Sequence, residues 1–412
     1  MKNTAIIISI ASIILIQSCK NTVVQWRGVD RNGIYYEDGL LDEWPENGPE
    51  VLWVYEGLGR GYAAPIVSNG KVFVNGEEDS ISHLYAIDMN GELLWKSPNG
   101  EEYLGEGFSS TYPGARSAPT VIGNLVYASS GEGRLACFNS VNGEEKWAVH
   151  LEDDLHGMIA YFGYSESVAV DKKNVYCFAG GAENNFVALD RLSGEVRWTS
   201  EVLKDTFAYG SPSLVDLPER EILISTSKYN MFVLDRSTGE LLSSYELEEI
   251  AYDGEHCNSP VYIDGYIYYV ANDRGGQGAL KLELSEDGED IKEVWRNPEI
   301  LNNFGGFVVV NDHLFTMLKG NRLVSIETEG GTVTDSIRVA SGSIIFSDNK
   351  FITYGYNGIV NLISYREGEM KTISEFRVKE GSGHHFSHPV LADGLMYIRH
   401  GDALVAYKVG DV

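Results

Sequence analysis

The chain is patterned as short apolar runs separated by tight polar turns. Three similar units run from Leu84 to Trp95, from Leu135 to Trp147 and from Phe186 to Trp198. In each unit an apolar run ends in Asp or Asn, a Gly follows, and a second run carries the Trp. An Asp or Asn side chain can bond the turn backbone, and a Gly allows the positive φ that tight turns need. The pattern therefore predicts pairs of antiparallel strands, repeated along the chain.

Two further short strands precede each unit, and the first of them often begins with a small residue and a proline. These starts are Ala64-Pro65, Ala118-Pro119, Ser211-Pro212, Ser259-Pro260 and His388-Pro389, with weaker copies at 165–170, 306–310 and 343–346. The average spacing is about 46 residues, which with four short strands is typical of a propeller blade. Eight first strands predict eight blades. A seven-bladed propeller is the alternative, because the step between the sixth and seventh starts is only about 36 residues.

The two ends of the repeat region complement each other. After His388 the last unit has only enough chain for three strands, while the segment from Val51 to Tyr55 has no partner strands of its own and matches Leu93 to Lys96. Pairing these ends would remove the exposed edge of an open array. We therefore predict an all-β fold, a single eight-bladed β-propeller over residues 48–412. Its blades are four-stranded and antiparallel, and an N-terminal strand at about residues 51–56 completes the last blade.

The first residues have the features of a bacterial export signal. Lys2 is followed by an apolar run over residues 5–16, which is too short for a transmembrane helix and suits a signal-peptide core. The run ends at Cys19 in the order Ile-Gln-Ser-Cys, which resembles a lipobox. We predict a lipoprotein signal peptide at 1–18 and a lipidated tether and N-terminal segment at 19–47. The lipid on Cys19 would anchor the exported protein to a bacterial membrane, facing the periplasm or the cell surface.

The charge balance excludes one class of partner. Lys and Arg number 32 and Asp and Glu number 60, which gives a net charge of −28. Such a chain repels nucleic acid phosphates, so no nucleic acid partner is predicted. Beyond Cys19 three cysteines remain, and an odd number argues against a disulfide scaffold. Cys137 and Cys177 lie in strand-like runs, where Cys behaves as a small apolar residue.

The geometry of a propeller indicates where a ligand would bind. The segments that lead into the first strands converge at one mouth of the central channel. They are rich in aromatic, Arg and His residues, and the candidate ligand-binding residues are Arg60, Tyr62, Arg116, His156, Tyr164, Tyr209, His256, Asn258, His384 and His385. Aromatic rings can stack on sugars and other planar faces, while Arg and His can bind hydroxyls or carboxylates. The alternative is that these side chains only fill the channel mouth.

Metal-ligating side chains also fall in these segments, at His156, His256, Cys257, His384, His385 and His388. They form no compact ligand motif, so no metal is predicted. Glu166 is the only obvious acid at the mouth and lacks a second carboxylate for acid–base chemistry. No catalytic residue is therefore assigned. The longest insertion, residues 97–114, is expected to cap the channel beside Arg116.

The repeat, Ala-x-Asp-x-x-x-Gly-x-x-x-Trp, resembles the pyrroloquinoline-quinone-type repeat of quinoprotein alcohol dehydrogenase-like propellers. The opening stretch from Trp26 to Gly33 and the pair Trp44-Pro45 resemble the N-terminal signature of secreted members. The resemblance covers roughly residues 25–412 and implies the propeller fold. More distantly, the chain resembles the propeller lipoprotein of the outer-membrane barrel-assembly machinery.

In this family, the dehydrogenases hold the quinone in the central funnel with an adjacent Cys-Cys disulfide, a Trp beneath the ring, a calcium ion and a catalytic Asp. This chain has no adjacent Cys pair, and its seven Trp fall on predicted outer strands or in the N-terminal segment, so none is expected beneath a quinone. We therefore predict no cofactor and a non-catalytic envelope propeller that binds a partner protein, a glycan or a small polar ligand at the channel mouth. The alternative is a quinone-dependent alcohol or sugar dehydrogenase, with pyrroloquinoline quinone and calcium in the funnel.

Overall fold

Eight antiparallel sheets surround a central channel. The computed structural model describes residues 22–205, 208–247, 256–272 and 277–411. First strands of neighbouring blades contact each other, so they line the axis of the ring. Within the described residues the helical elements are two single 3-10 turns, Ser109–Thr111 and Val202–Lys204. The prediction of an eight-bladed, four-stranded β-propeller is confirmed.

The strands are numbered in chain order, and each blade uses them from the axis outwards. The first strands are β3 (Ile66–Ser68), β7 (Thr120–Ile122), β11 (Ala169–Val170), β15 (Ser213–Asp216), β19 (Val261–Ile263), β23 (Phe307–Val310), β27 (Gly342–Ser347) and β31 (Val390–Ala392). The second strands are β4 (Lys71–Glu78), β8 (Leu125–Ser129), β12 (Asn174–Phe178), β16 (Glu221–Thr226), β20 (Tyr266–Val270), β24 (His313–Leu318), β28 (Lys350–Gly355) and β32 (Leu395–His400).

The third strands are β5 (Ile81–Asp88), β9 (Arg134–Asn139), β13 (Phe186–Asp190), β17 (Asn230–Asp235), β21 (Ala279–Leu284), β25 (Arg322–Glu327), β29 (Ile359–Arg366) and β33 (Ala403–Lys408). The outer strands are β6 (Leu93–Glu101), β10 (Glu145–His150), β14 (Val196–Ser200), β18 (Leu241–Glu246), β22 (Ile291–Asn297), β26 (Val333–Arg338), β30 (Glu369–Arg377) and, for the last blade, β2 (Glu50–Glu56). The second and third strands are largely buried between blades, whereas the outer strands alternate buried and exposed positions.

The last blade is closed by a strand from the beginning of the chain. β2 pairs antiparallel with β33, with Val54 opposite Val405 and Glu56 opposite Ala403. This pairing covers the edge that β33 would otherwise expose. The predicted closing strand at about residues 51–56 is therefore confirmed.

Each Trp of an outer strand packs on a glycine in the next blade, in the turn between its third and outer strands. The pairs are Trp53 with Gly91, Trp95 with Gly143, Trp147 with Gly194, Trp198 with Gly239 and Trp295 with Gly331. These glycines have φ between +72° and +87°, and an added Cβ would lie only 2.4 to 2.9 Å from the indole. Where Ser243 replaces the Trp, its hydroxyl donates to the carbonyl of Gly288 in the next blade at 2.7 Å. The Gly and Trp of the repeat therefore lock neighbouring blades together.

The first strands all run in the same direction through the channel. Each starts at one mouth, here named the upper mouth, and ends at the lower mouth. Residues 22–37, here named the channel segment, lie among these strands. Within the segment β1 (Val23–Val24) pairs antiparallel with β7, and Val23 lies opposite Ile122 at the lower end of that strand. The chain therefore rises into the channel from the lower mouth.

The channel segment turns inside the channel and leaves by the same mouth. The N–H of Gly33 donates to the carbonyl of Arg27 across this turn. Ile34 then pairs with Phe346 in the parallel sense, along β27, which runs towards the lower mouth. Residues 38–47 continue to β2, with Leu40 bridged to Gly410.

Two buried arginines fix the channel segment to three blades. Arg27 donates to the carbonyls of Phe307 and Ile344, and Arg31 donates to the carbonyls of Ser167 and Val168. Both side chains are almost fully buried, and burial lowers the pKa of each guanidinium to about 10. Neither forms an ion pair within the described part of the chain.

The predicted signal peptide at 1–18 and the predicted lipid site Cys19 lie outside the described residues, so both stay predictions. Over the residues that are described, no helix has the length and apolar character needed to cross a membrane.

Candidate functional site

A cavity of about 380 Å³ opens at the upper mouth of the channel. It is built from the segments that lead into the first strands, from two loops between second and third strands, and from the channel segment. The residues that line it are Trp26, Tyr62, Ala64, Phe108, Tyr112, Arg116, Phe162, Ser165, Ser167, Tyr209, Ser211, Cys257, Asn272, Asn303, Phe304, Tyr356, Phe386 and His388. Half of these are aromatic, and Arg116 is the only Arg, Lys, Asp or Glu among them.

The aromatic side chains form a continuous wall centred on Phe386. Its ring centroid lies 5.1 to 5.9 Å from those of four neighbours, Tyr62, Tyr112, Phe304 and Tyr356. His384 stacks parallel to Phe386, with centroids 4.8 Å apart and an interplanar angle of 1°. These separations are in the range in which ring pairs attract each other. The wall therefore presents several preformed ring surfaces to a ligand.

Arg116 is held in place by the insertion that precedes it. Its guanidinium donates to the carbonyls of Tyr112 and Gly114. Of the predicted insertion at residues 97–114, residues 97–101 belong to β6, and Phe108 and Tyr112 line the cavity wall beside Arg116. Capping of the channel by the insertion stays a prediction. Burial lowers the pKa of Arg116 and the charge of Glu102 opposes this shift, but an arginine remains a cation at neutral pH.

Trp26 and His388 form the floor of the cavity. Their rings meet edge to face at 5.2 Å. Nδ1 of His388 lies 3.4 Å from Nη1 of Arg27, and Nε2 lies 3.2 Å from the carbonyl oxygen of Phe304. A guanidinium only donates and a carbonyl only accepts, so the ring is neutral with its proton on Nε2. Burial and the neighbouring Arg27 lower the pKa of His388 to about 3.

The position of Trp26 differs from the expectation that no Trp lies beneath the funnel. Trp26 belongs to an N-terminal segment outside the repeats, as the sequence predicted. The channel segment then carries it into the centre of the ring, beneath the aromatic wall.

Four of the ten predicted site residues lie at the cavity. Tyr62, Arg116 and Tyr209 line it, and the hydroxyl of Tyr209 accepts a hydrogen bond from the N–H of Phe162 at 3.2 Å. His384 is exposed at the rim, where it stacks on Phe386. Ligand binding by these four residues stays a prediction.

Four other predicted residues contact the protein away from the cavity. Arg60 forms an ion pair with the buried Glu77. The hydroxyl of Tyr164 donates to the carbonyl of Ala179 at 3.0 Å, and the amide of Asn258 donates to the carbonyls of Val270 and Asn302. His256 is fully buried, with Nδ1 2.7 Å from the hydroxyl oxygen of Tyr269, and burial lowers its pKa to about 4. These contacts hold the loops of the mouth together, and ligand binding by the four residues stays a prediction.

The last two predicted residues are histidines that do not line the cavity. His156 is exposed, with φ +54°. His385 stacks on His400, with ring centroids 3.7 Å apart, and its Nδ1 lies 2.5 Å from the hydroxyl oxygen of Tyr354. Burial and the neighbouring His400 lower the pKa of His385 to about 4. The channel-mouth histidines are thus separated, not gathered at one point.

The set of predicted site residues missed several that line the cavity. Asn272 and Tyr356 follow second strands, and the loops after second strands also end at the upper mouth because strand direction alternates within a blade. Including those loops would have found both residues. Trp26 carried no such signal, because its position depends on pairing between β1 and β7.

The side chains of the cavity do not fit a calcium-bound quinone. Calcium is held by oxygen ligands with carboxylates prominent among them, and no Asp or Glu is among the described lining residues. In the described chain, no three His, Cys, Asp or Glu side chains are grouped to hold a metal ion. Cys137 and Cys177 are buried free cysteines. Trp26 supplies one ring beneath the funnel, but the carboxylate ligands that calcium prefers are not among the described lining residues.

Comparison with known proteins places the chain in a family. Residues 82–334 and 187–409 match the family model described as outer membrane protein assembly factor BamB. The chain belongs to the BamB family. The BamB of Kangiella koreensis is 26% identical over 230 residues, which cover 52% of this chain and 51% of the relative. That of Shewanella oneidensis is 21% identical over 269 residues, covering 62% and 64%. The chain thus spans about half to two thirds of the length of the relatives that it matches.

Solved structures show the same fold as this BamB-family chain. BamB from Moraxella catarrhalis aligns with a TM-score of 0.62 and 12% identity, covering 87% of this chain and 99% of that one. A quinohemoprotein alcohol dehydrogenase from Comamonas testosteroni aligns with a TM-score of 0.57 and 13% identity, covering 88% and 77%. At such identities the likeness shows the fold alone. The resemblance to quinone-type repeat propellers is confirmed.

Proposed function

We propose that this BamB-family protein is a non-catalytic propeller of the bacterial envelope that binds a protein partner during outer membrane assembly. The observation that carries the proposal is the aromatic cavity at the upper mouth, whose rings offer preformed binding surfaces. The two curated relatives are named outer membrane protein assembly factors, which supports this class of role. The lipid on Cys19 would hold the protein at a membrane.

The rim of the cavity supports a protein as the partner. Three large apolar side chains are exposed there or close by, Phe108 at 52%, Met158 at 45% and Tyr161 at 37%. Tyr161 packs edge to face on Phe162 of the cavity wall, with centroids 5.0 Å apart. Aromatic and Met side chains are enriched where proteins bind each other. The partner would therefore cover this rim.

Removal of the gene from the producing bacterium tests the role in assembly. Outer membrane protein content should fall and should be restored by the wild-type gene. Restoration should be weaker with Phe108→Ala and Tyr161→Ala combined. Tyr36→Ala is the matched control, because Tyr36 is 71% exposed and belongs to the channel segment near the lower mouth. An unchanged outer membrane profile in the deletion strain would exclude this role.

The position of Trp26 favours a second candidate, the quinone-dependent dehydrogenase. Purified full-length protein should be mixed with pyrroloquinoline quinone, with and without calcium, and followed by absorbance and thermal unfolding. We expect no calcium-dependent binding, because the described lining residues include no carboxylate. Tight binding that requires calcium and raises the melting temperature would replace the non-catalytic proposal with the dehydrogenase.

A further inference from the structure

Positive charge collects at and below the aromatic cavity. Arg116 lines it, Arg27 bonds to His388 in its floor, and Arg31 donates to the backbone carbonyl of Ser167 in its wall. None of the three arginines forms an ion pair within the described residues. Buried arginines are ordinarily paired with carboxylates. The cavity is therefore an electropositive site in a protein whose net charge is −28.

The nearest acids compensate this charge only in part. Glu102 interacts with Arg116 and Glu166 interacts with Arg31, and both carboxyl groups are buried. Burial raises the pKa of Glu102 to about 7 and that of Glu166 to about 8. Each is therefore partly protonated at neutral pH, while the guanidinium groups stay charged.

The cavity also contains groups that suit a sugar. Hydroxyl and amide side chains lie among the rings, at Ser165, Ser167, Ser211, Asn272 and Asn303. Aromatic faces pack on the apolar faces of pyranose rings, and hydroxyl and amide groups bond to sugar hydroxyls. The volume of about 380 Å³ is within the range of about 300–1,000 Å³ that is typical of small-molecule sites.

We propose that this cavity binds a carboxylated sugar, with the sugar ring on the aromatic wall and the carboxylate on Arg116. A guanidinium binds a carboxylate through charge-assisted hydrogen bonds. The carboxylate of the ligand would therefore serve as the ion-pair partner of Arg116. A neutral sugar would leave Arg116 without an anion, and a cationic ligand would be repelled. The proposal goes beyond the assembly role, for which a protein partner would cover the exposed rim of the cavity.

Calorimetric titration of the purified full-length protein tests this proposal. The probes are digalacturonate, its methyl ester and a neutral glucose disaccharide. The ester keeps the rings and removes the charges, so it should bind at least about tenfold more weakly than the acid. The glucose disaccharide should bind no more tightly than the ester.

Variants assign the affinity to named side chains. Arg116→Gln should lower the affinity for digalacturonate to that for the ester and should leave ester binding unchanged. Arg116→Lys keeps the charge and should retain part of the preference for the acid. Phe386→Ala should weaken binding of both compounds, because it removes the centre of the wall. Arg338→Gln is the matched control, because Arg338 is exposed on β26. This substitution removes the same charge far from the cavity. Thermal unfolding of each variant shows whether it has folded.

Several results would overturn the proposal. Equal affinities for acid and ester, no binding of either, or unchanged acid binding by a folded Arg116→Gln variant would each do so. Gly-Gly-Phe with a free C-terminal carboxylate, compared with its amide, tests a peptide as the ligand. Tight peptide binding in place of digalacturonate would assign the cavity to the protein partner. The gene-deletion test is independent of these binding measurements. The sugar proposal can therefore fail while the assembly role stands, and the assembly role can fail while sugar binding is observed.

Discussion

Arg27 and His388 are 361 positions apart in the chain and meet inside the channel, where Nη1 of Arg27 lies 3.4 Å from Nδ1 of His388. Arg27 belongs to the channel segment, and His388 leads into β31, the first strand of the last blade. The outer strand of that same blade, β2, also comes from the N-terminal region. The ring is therefore closed at its inner and its outer edge by residues 22–56.

Replacing Arg27 should weaken the whole propeller. Arg27→Ala leaves the carbonyls of Phe307 and Ile344 without this donor and opens a space beside His388. We expect the free energy of unfolding to fall by about 2–4 kcal/mol, measured by urea denaturation. Arg338→Ala, at an exposed arginine, should change it by less than about 0.5 kcal/mol. Equal effects of the two substitutions would contradict a closing role for the channel segment.

The contact between Trp53 and Gly91 should make Gly91 intolerant of any side chain. Gly91 has φ +87°, and an added Cβ would lie 2.9 Å from the indole of Trp53. Gly91→Ala should therefore cost about 1 kcal/mol for the backbone and about 1–3 kcal/mol more for the displaced ring. Thermal and urea unfolding measure the sum.

Gly70 provides the matched control for this substitution. It has φ +68°, and an added Cβ would meet nothing within 4 Å. Gly70→Ala should therefore show the backbone cost alone. If the two variants were equally stable, the Trp and Gly contact would not be what locks the first and last blades together.

Glu166 should make the protein less stable as the pH rises. Its pKa is raised by burial from an ordinary 4.5 to about 8, and its carboxylate oxygen accepts from the N–H of Phe178. Between these values the folded state holds a proton that the unfolded state has released, so the free energy of unfolding falls as pH increases. Glu166→Gln removes this titration and keeps the acceptor. Between pH 5 and pH 8, the free energy of unfolding of the variant should rise by at least about 1 kcal/mol relative to that of the wild type.

Comparison with the wild type isolates this effect from the histidines. His388 and His256 have lowered pKa values, so their folded forms stay neutral while the unfolded forms take up protons below about 6.5. That contribution increases stability with rising pH, the opposite sign, and it is common to both proteins. Glu183→Gln, at an exposed acid, should show no difference in pH dependence from the wild type. A parallel pH profile for Glu166→Gln would contradict an ionisable group with a raised pKa at this position.

The blades could be predicted from the sequence because their signals are local. An Asp, a Gly and a Trp within about a dozen residues record one turn and one contact with the neighbouring blade. The segment around Trp53 resembles an outer strand but has no other strands of a blade beside it in the sequence. This was enough to predict that it completes the last blade. The position of Phe386 in the centre of the wall has no such local signal, because it depends on rings contributed by several blades.

The convergence of the segments before the first strands predicted where the cavity lies, but not which residues line it. Tyr62, Arg116 and Tyr209 point into it, whereas Tyr164 and His256 come from equivalent segments and turn into the core. The direction of each side chain depends on the local backbone of its loop, which spacing along the sequence does not specify. The arginines of the channel segment were missed for a different reason, since their partners are backbone carbonyls of distant blades.

The path of the channel segment predicts how the anchored protein faces the membrane. Val23 lies opposite Ile122, at the lower end of β7. The four residues that follow Cys19 reach at most about 14 Å when fully extended. If Cys19 carries a lipid as predicted, the lower mouth faces the membrane and the aromatic cavity faces away from it. A ligand or partner would then approach the cavity from the aqueous side.

Fluorescence quenching in vesicles measures this orientation. Asn124→Cys reports the lower mouth, in the turn after β7, and Glu106→Cys reports the upper mouth, two residues before Phe108 of the cavity wall. Both are made with Cys257→Ser, labelled with a fluorophore and reconstituted as lipidated full-length protein with a headgroup quencher. The label at position 124 should be quenched more strongly than the label at 106, and the reverse order would contradict the path of the channel segment. Cys19→Ser should no longer float with the vesicles. If that variant still floated with the vesicles, the acidic chain itself would bind the membrane, and this would contradict the lipid anchor.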